Sequence, residues 1–374
     1  MARAILRCTV EQMHEFDAVI VGAGPAGATA AINLAPFRRV LLVDRVAEPA
    51  DRIGDSLAPA ARRLLDDMGL WVDFAKDGHS PWYVARSAWG SDFPTERDSI
   101  ADLDGNGWHL ERKRFEIRLR KTAVDRGAVL LAPAKPIALS RSGAGWLLTL
   151  EQSQGPLHVS TRLVLDCGGR ASSLLKPFGA SRRADDRLLC AYVFGVRGVP
   201  SQSEGSTYVE SVPDGWWYTS ASPDGRRVLA WHTDADLMPA NLVRSRSQFL
   251  EMAGRSRSLS AEIADASFDG VDAPRVIAAY SSALTPPVGA GWVAAGDAAL
   301  SFDPISSQGL FHALYTGLAS AAAVERSFLG DDSGLNDYAA RLTSINAAYT
   351  RNLKSWYGLE RRWRDHTFWR RRQI

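Results

Sequence analysis

The chain has 374 residues, 46% hydrophobic and 23% charged, a soluble globular balance with material for one large domain or two intertwined ones. A net charge of +2, three cysteines at unrelated spacings and no apolar run long enough for a bilayer exclude a disulfide framework, a zinc site and a membrane span, and point to no nucleic-acid partner. The first fifteen residues lack the apolar core of a signal peptide, so a reducing cytoplasm is the expected setting.

In chain order, Phe16 to Val21 predicts a strand buried on both faces, followed by Gly22-Ala23-Gly24-Pro25-Ala26-Gly27 and a helix. The three glycines fall in the G-x-G-x-x-G spacing. The first permits the tight turn, the second lets backbone approach a pyrophosphate, and the third lets helix pack on strand. The helix N-terminus then offers free N–H groups to phosphate. A second strand, Val40 to Val43, ends at Asp44-Arg45, where a carboxylate accepts adenosine ribose hydroxyls and repels a 2′-phosphate. On this segment alone FAD and NAD both remain open.

Leu57 to Leu70 reads as an amphipathic helix that Asp55 or Ser56 would cap. Residues 71–104 are Trp-rich and polar, more loop than element. "LERKRFEIRLR" (110–120) predicts a basic amphipathic helix. Four strands follow the Asp166-Cys167-Gly168 turn: 187–198, 206–212, 215–222 and 226–236. Ser222-Pro223-Asp224-Gly225 makes the last two a hairpin. With Pro223 and Asp224 central, Trp216 would oppose Trp231. Alternation puts Trp216 and Tyr218 on one face and Trp217 on the other. Residues 245–266 predict helical cover for this sheet. Val293 to Ala295 predicts a strand ending at Gly296-Asp297, with a helix from about Ser307-Gln308-Gly309 to Ala322. The chain from Asn336 is mostly helical. From Arg351 it carries eight Lys/Arg against Glu360 and Asp365, a solvated end or a docking surface.

The three segments around Gly22, Asp166 and Gly296 resemble, in order, the fingerprints of the aromatic-hydroxylase type of FAD-dependent monooxygenases. The resemblance implies an α/β fold: a Rossmann-like FAD-binding domain, an inserted antiparallel substrate sheet (an α+β second domain) and C-terminal helices. The FAD domain would be discontinuous (14–70, 105–185 and 281–330), with 71–104 and 186–280 forming the substrate domain and 331–374 a helical segment. It implies FAD contacts at Gly22, Gly24, Pro25, Ala26, Gly27, Asp44, Arg45, Gly54, Asp55, Ser56, Arg112 (a phosphate contact), Asp166, Gly168, Gly296, Asp297 (the ribityl chain), Pro304, Gln308 and Gly309. NAD(P)H or another reductant would visit transiently, with O2 as co-substrate.

A narrower resemblance rests on "RIGDSLAPAARRLLDDMGLW", "GWHLER", "DGWWYTS", "GDAALSFDPISSQG" and "FWRRR". These look like the flavoproteins that mature tryptophylquinone enzymes. That implies hydroxylation of a tryptophan side chain in a precursor quinoprotein through a C4a-hydroperoxyflavin, by a chain for which a monomeric state is plausible. Asp55, Ser56, Pro304, Ser306 and Ser307 would border the reacting edge; for the serines, helix capping is the alternative. Trp216, Trp217, Tyr218, His109 and Glu210 are candidate substrate contacts, with His232 a further acid–base candidate; sheet core and satisfied histidine are the plainer readings. The 71–104 insertion and the basic tail would dock the partner. Related flavin-dependent halogenases need a lysine between flavin and substrate and a Trp-x-Trp-x-Ile-Pro stretch. The corresponding Trp216-Trp217-Tyr218-Thr219-Ser220-Ala221 departs from it. A small aromatic substrate, or a non-catalytic chaperone of the partner, are the alternatives.

Overall fold

The computed structural model describes residues 14–99, 103–198 and 205–373. Cys8 and the N-terminal stretch examined for a signal peptide fall almost wholly outside them. β1 (His14–Val21), α1 (Pro25–Leu34) and β2 (Val40–Val43) form the opening unit. Then come β3 (Ser56–Leu57), α2 (Ala61–Asp67), α3 (Trp71–Phe74), β4 (Ser80–Trp82), β5 (Val84–Ala88), β6 (Thr95–Asp98) and β7 (Gly107–His109). α4 (Arg112–Asp125), β8 (Val129–Leu131), β9 (Lys135–Ser142), β10 (Gly145–Glu151), β11 (Leu157–Asp166) and β12 (Ser181–Ala184) follow. The second lobe holds β13 (Leu188–Arg197), β14 (Ser206–Val212), β15 (Gly215–Ala221), β16 (Arg226–Asp234), α5 (Arg246–Ala253), α6 (Arg257–Glu262), β17 (Ala266–Ser267) and β18 (Arg275–Ala278). The chain returns through β19 (Ser282–Thr285), β20 (Val288–Gly289), β21 (Trp292–Ala294) and β22 (Leu300–Ser301), and closes with α7 (Gly309–Phe328), α8 (Ser333–Gly358) and α9 (Thr367–Arg370).

The first lobe is Rossmann-like. β1 pairs in parallel with β2 and β11, β2 with β8, and β11 with β21. Every residue of β2 is buried, as a parallel strand covered on both faces requires. α1 and α7 pack closely because Gly317 has no side chain: a Cβ there would lie 2.4 Å from the Ala26 carbonyl oxygen. The second lobe is a sheet in the order β17-β13-β16-β15-β14-β5-β6, with β18 also on β13.

Three local expectations are corrected. The described part of the 71–104 insertion is not loop. It supplies β5 and β6, and β5 pairs in parallel with β14, a partner more than a hundred residues on that no local pattern reveals. The helix expected over 57–70 starts only at Ala61. Pro59 has no N–H, and Ser56 and Leu57 are extended against His109 and Trp108, so neither Asp55 nor Ser56 caps it. The β15–β16 hairpin is offset by one residue. Ser222 N donates to Arg226 O at 2.7 Å and Gly225 is left-handed (φ +78°), so the loop has three residues. Trp217 therefore faces Trp231, and Trp216 faces His232.

The second sheet buries both faces. Trp217, Trp231 and Tyr208 pack with Phe249 and Leu259 of α5 and α6, whose starts are capped by Ser245 and Ser256. Trp216 packs on the opposite face with Tyr357, Phe368 and Trp369, and Tyr218 lies beside them. The end of the basic tail is anchored through its aromatic residues and two arginines, while Arg361, Arg364 and Arg370 are exposed. Phe368 and Trp369 are fully buried, and Arg371 and Arg372 pair with Asp234. Trp89 of the insertion likewise turns inward onto Trp369, at a 5.3 Å centroid distance.

Candidate active site

The opening glycine turn is fixed by its neighbours. A Cβ on Gly27 would lie 1.8 Å from the Gly22 carbonyl oxygen. One on Gly22, itself at φ +100°, would lie 2.3 Å from the Cys167 carbonyl. Gly24 differs: it starts α1 and leaves open space, with only the Arg52 guanidinium 3.9 Å from a would-be Cβ. Pro25 and Ala26 are buried in the first turn. The turn therefore presents bare backbone and one cation to whatever approaches the helix N-terminus, which suits a pyrophosphate. Asp44 stands at the end of β2. Its Oδ2 accepts from Ala23 N at 2.7 Å and its Oδ1 from Val46 N at 2.9 Å, while Arg45 is exposed. Arg120, buried on α4, lies 3.1 Å from Asp44 Oδ2 and donates to the Ala23 carbonyl at 2.9 Å.

Arg112, expected at a phosphate, donates to the Gly54 carbonyl and, at 2.6 Å, to Glu116. Glu116 also binds Arg52, and the two guanidiniums hold its carboxyl below the usual range against the opposing effect of burial. Sequence reasoning missed Arg52 and Arg120. The i, i+4 spacing of Arg112, Glu116 and Arg120, which puts all three on one side of α4, was the available signal.

From the other fingerprints, Asp166 Oδ1 accepts from Gly168 N at 2.9 Å and Oδ2 from Ser172 Oγ at 2.6 Å, so this acid holds its own turn. Gly296 is left-handed (φ +60°), and a Cβ there would strike Ala26 at 2.7 Å. This brings the third fingerprint onto the first. Asp297 lies 3.5 Å from Arg170 Nη2, with Arg52 and Arg112 adding to the positive field. Pro304, Ser307, Gln308 and Gly309 are exposed, and α7 starts at Gln308 without a side-chain cap. Ser306 Oγ donates back to the Asp303 carbonyl at 2.8 Å and accepts from the N–H of the N-cap residue Gln308 at 3.4 Å, while Ser307 is left-handed (φ +50°), so neither hydroxyl caps the amides of α7 itself.

Between the lobes lies a small pocket, no larger than a water, lined by Asp51, Arg52, Asp55, Arg112, Phe194 and Arg226. Arg226 bridges it, pairing with Asp224 at 2.5 Å and Asp51 at 3.3 Å. Asp55 is 6% exposed, yet neither carboxylate oxygen has a hydrogen-bond partner among the described residues. His109 Nδ1 is 3.9 Å away, and burial lowers its pKa, which favours the neutral ring. Ser56 pairs with His109 across β3 and β7. Tyr218 completes this group, its hydroxyl donating to Ser220 Oγ at 3.0 Å. Its phenol is pushed up by burial first and by the Asp55 charge second.

The other substrate candidates lie elsewhere. Trp217 is core under α5. Glu210 accepts from Tyr208 Oη at 2.8 Å and from Ser256 Oγ, on that same far face. Trp216 shares the face of Tyr218 but is 1% exposed, stacked on His232 at 3.6 Å and 6°. Burial holds His232 at about 3, so it is a neutral packing ring. Asp303, in the loop before α7, has its carboxyl pushed up to about 6 by burial first. An acid whose folded pKa is raised stabilises the fold when protonated. That contribution is complete below about pH 4 and is lost as pH rises through about 6. Asp303→Asn should therefore gain stability relative to the native protein between pH 4.5 and 7.5, by about 2–3 kcal/mol, in thermal melts without cofactor. A difference independent of pH would contradict it.

The parallel sheet, the bare glycine turn and the Asp-ended second strand define a flavin-nucleotide-binding protein with a second lobe over its cleft. The chain belongs to the FAD binding domain family, matched over residues 15–314, and is an FAD-dependent oxidoreductase. It is 28% identical over 365 residues to LodB of Marinomonas mediterranea, a protein assigned as an FAD-dependent oxidoreductase, covering 96% of this chain and 97% of that one. It is 23% identical to a 1H-pyrrole-2-carbonyl-[peptidyl-carrier protein] brominase of Pseudoalteromonas luteoviolacea, covering 89% and 82%. The fold matches the myxobacterial chondrochloren halogenase CndH (TM-score 0.86, 22% identity, 96% and 86% covered). It also matches QhpG, a peptidyl tryptophan dihydroxylase essential for tryptophylquinone cofactor biogenesis (TM-score 0.74, 22% identity, 96% and 79% covered). Among the described residues no helix is long and apolar enough to cross a membrane, and no side-chain cluster suits a metal.

Proposed function

We propose that this protein is an FAD-dependent monooxygenase that hydroxylates a tryptophan side chain of a precursor protein during assembly of a tryptophylquinone cofactor. The observation that carries this reading is Asp55: a buried carboxylate at the edge of the inter-lobe pocket, neither oxygen of which has a hydrogen-bond partner among the described residues, so an indole N–H that reached it would find an acceptor. The likeness to the QhpG fold supports it, and the likeness to LodB along almost the full length of both chains supports an FAD-dependent oxidoreductase. Bound FAD supplies the reduction of O2, with electrons from NAD(P)H or a similar donor. One oxygen atom goes to the indole and the other leaves as water. Asp55 orients the ring and, with His109 behind it, takes the proton that the new C–O bond displaces. Tyr218 and Phe194 supply aromatic edges for the indole. Arg52 and Arg112 would give the site a positive field for the negatively charged cofactor.

Halogenation is the second reading, favoured by the CndH and brominase likenesses. Against it, all six lysines lie at or near the surface and none is buried in the cleft. A flavin-stabilised, non-catalytic chaperone is a third. The test incubates a candidate precursor with enzyme, FAD, NAD(P)H and O2 in the presence of halide, and reads the product by mass spectrometry. Oxygen added to one tryptophan is expected. A halogen on the product, consumption of NAD(P)H only with a free small aromatic, or tight binding of unmodified precursor would each replace this reading. Asp55→Asn should lower product formation about 100-fold or more with FAD still bound; full activity in that variant would remove Asp55 from the chemistry.

A further inference from the structure

Asp303 begins the short turn Pro304–Ser306 that leads to the uncapped start of α7, and every contact of its polar atoms can be traced. Its Oδ1 accepts from Ile305 N at 2.9 Å, closing that turn. Its Oδ2 accepts from Tyr357 Oη at 2.7 Å, and its backbone N–H donates to Tyr349 Oη at 2.7 Å. Both tyrosines belong to α8, about two turns apart. Tyr349 is tied in turn to Ser281 Oγ at 2.6 Å. Tyr357 accepts from Trp216 Nε1 at 3.1 Å, and Trp216 lies on β15, two residues before Tyr218. All of Asp303, Tyr357 and Trp216 are at most 1% exposed, so water does not compete for these bonds.

A single buried hydrogen-bond chain therefore runs from the second sheet, through α8, to the loop that leads into α7, and Ile305 of that loop packs in the same cluster as Ile53, Phe194 and Tyr218. Three other features bear on it. The loop ends in Ser307, a non-glycine residue in left-handed backbone, which persists only where its surroundings fix it. Beyond Ser307, Gln308 and Gly309 are exposed, so the loop is held from its Asp303 end. And α8 lies wholly outside residues 15–314, the part that matches the family.

We propose that Tyr357 is a positioning residue that fixes the 303–309 loop at the start of α7, next to Ile53 and Phe194, and couples it to the aromatic face of β15. The significance of that face for substrate rests on the function proposed above; the coupling itself does not. Tyr357 is well placed for this. Its hydroxyl both accepts and donates, so loss of that one atom unpairs an indole N–H on one lobe and a carboxylate oxygen on the other. The cation nearest its ring is Arg372, itself fixed by Asp234, so the tail holds Tyr357 in place.

The test compares native protein with Tyr357→Phe and Trp216→Phe, and the double variant, by amide hydrogen exchange followed by mass spectrometry, with and without FAD and with no substrate. Tyr357→Phe keeps the ring and its packing. Exchange over 303–309 should rise about 10-fold or more, with a several-fold loss of FAD affinity, while β1 and β11 exchange as before. Trp216→Phe should give a smaller rise over 303–309, and the double variant less than the sum of the two. Unchanged exchange over 303–309 in Tyr357→Phe, an equal rise across β1 and β11, or additive effects would each overturn the proposal. No readout uses a substrate, so failure of the hydroxylase reading leaves this result standing, and the converse also holds.

Discussion

Deleting residues 367–373 should unfold the second lobe, with a loss of the cooperative thermal transition and of near-ultraviolet circular dichroism from the tryptophans. Phe368 and Trp369 are 0% exposed, and Trp369 Nε1 donates to the Val212 carbonyl at 2.9 Å. Emptying either ring's place costs about 3–5 kcal/mol. The deletion also removes Arg371 and Arg372, at 2.8 and 2.6 Å from Asp234, which is only 2% exposed. Stranding a buried carboxylate costs a further ~3–5 kcal/mol, and together these rival the whole stability of an ordinary domain. Trp369→Ala alone should show the first part of this loss. A shortened protein with native melting and a specific defect in partner binding would restore the docking role for the tail.

The second large effect separates two glycines three residues apart. Gly27→Ala places a methyl 1.8 Å from a backbone oxygen in the centre of the first lobe, with Cys167 Cβ and the Gly22 carbonyl carbon each 3.1 Å away. No side chain can swing aside, so the β1–α1 packing must open. The variant should neither bind FAD nor melt cooperatively. Gly24→Ala meets only the end of Arg52 at 3.9 Å and has ordinary extended backbone, so the cofactor-free protein should melt as the native one does. Its methyl stands where a pyrophosphate would approach, so FAD affinity should fall about 10-fold or more in a fluorescence titration, on the order of 1.4 kcal/mol or more. Equal FAD affinities for native protein and Gly24→Ala would place the phosphates elsewhere.

The parts of this fold legible in the sequence are those whose signal is local. The glycine turn between β1 and α1, the Asp44 terminus of β2 and the Gly296 turn each announce themselves within a few residues. Alternation correctly separates Trp216 and Tyr218 from Trp217, because side-chain parity needs only the strand. The one-residue error in the hairpin has a local cause too: Gly225 takes left-handed backbone and lengthens the loop. What stayed hidden depends on distant partners. β5 is a strand because β14 accepts it, and the arginines of the tail are structural because Asp234 waits for them. Arg52 and Arg120 gain their meaning only when α4 lies across the glycine turn. Asp303 looked like one acid in a polar loop until α8 brought two tyrosines to it.

The place of Asp234 has a consequence for how the molecule is made. Arg372 follows it by 138 residues. At a translation speed of ~5–20 residues per second, β16 waits roughly 7–30 s for its counter-ion and for the rings that cover Trp216. During that interval a nascent chain shows one wide aromatic sheet face and a bare acid to the cytosol or to a holdase. The first lobe must wait as well, since β21 completes its sheet late. The second sheet is thus covered only once Phe368 and Arg372 have been made, and a ribosome that stalls before Phe368 releases a sheet with no lid, a substrate for quality control rather than a shorter enzyme.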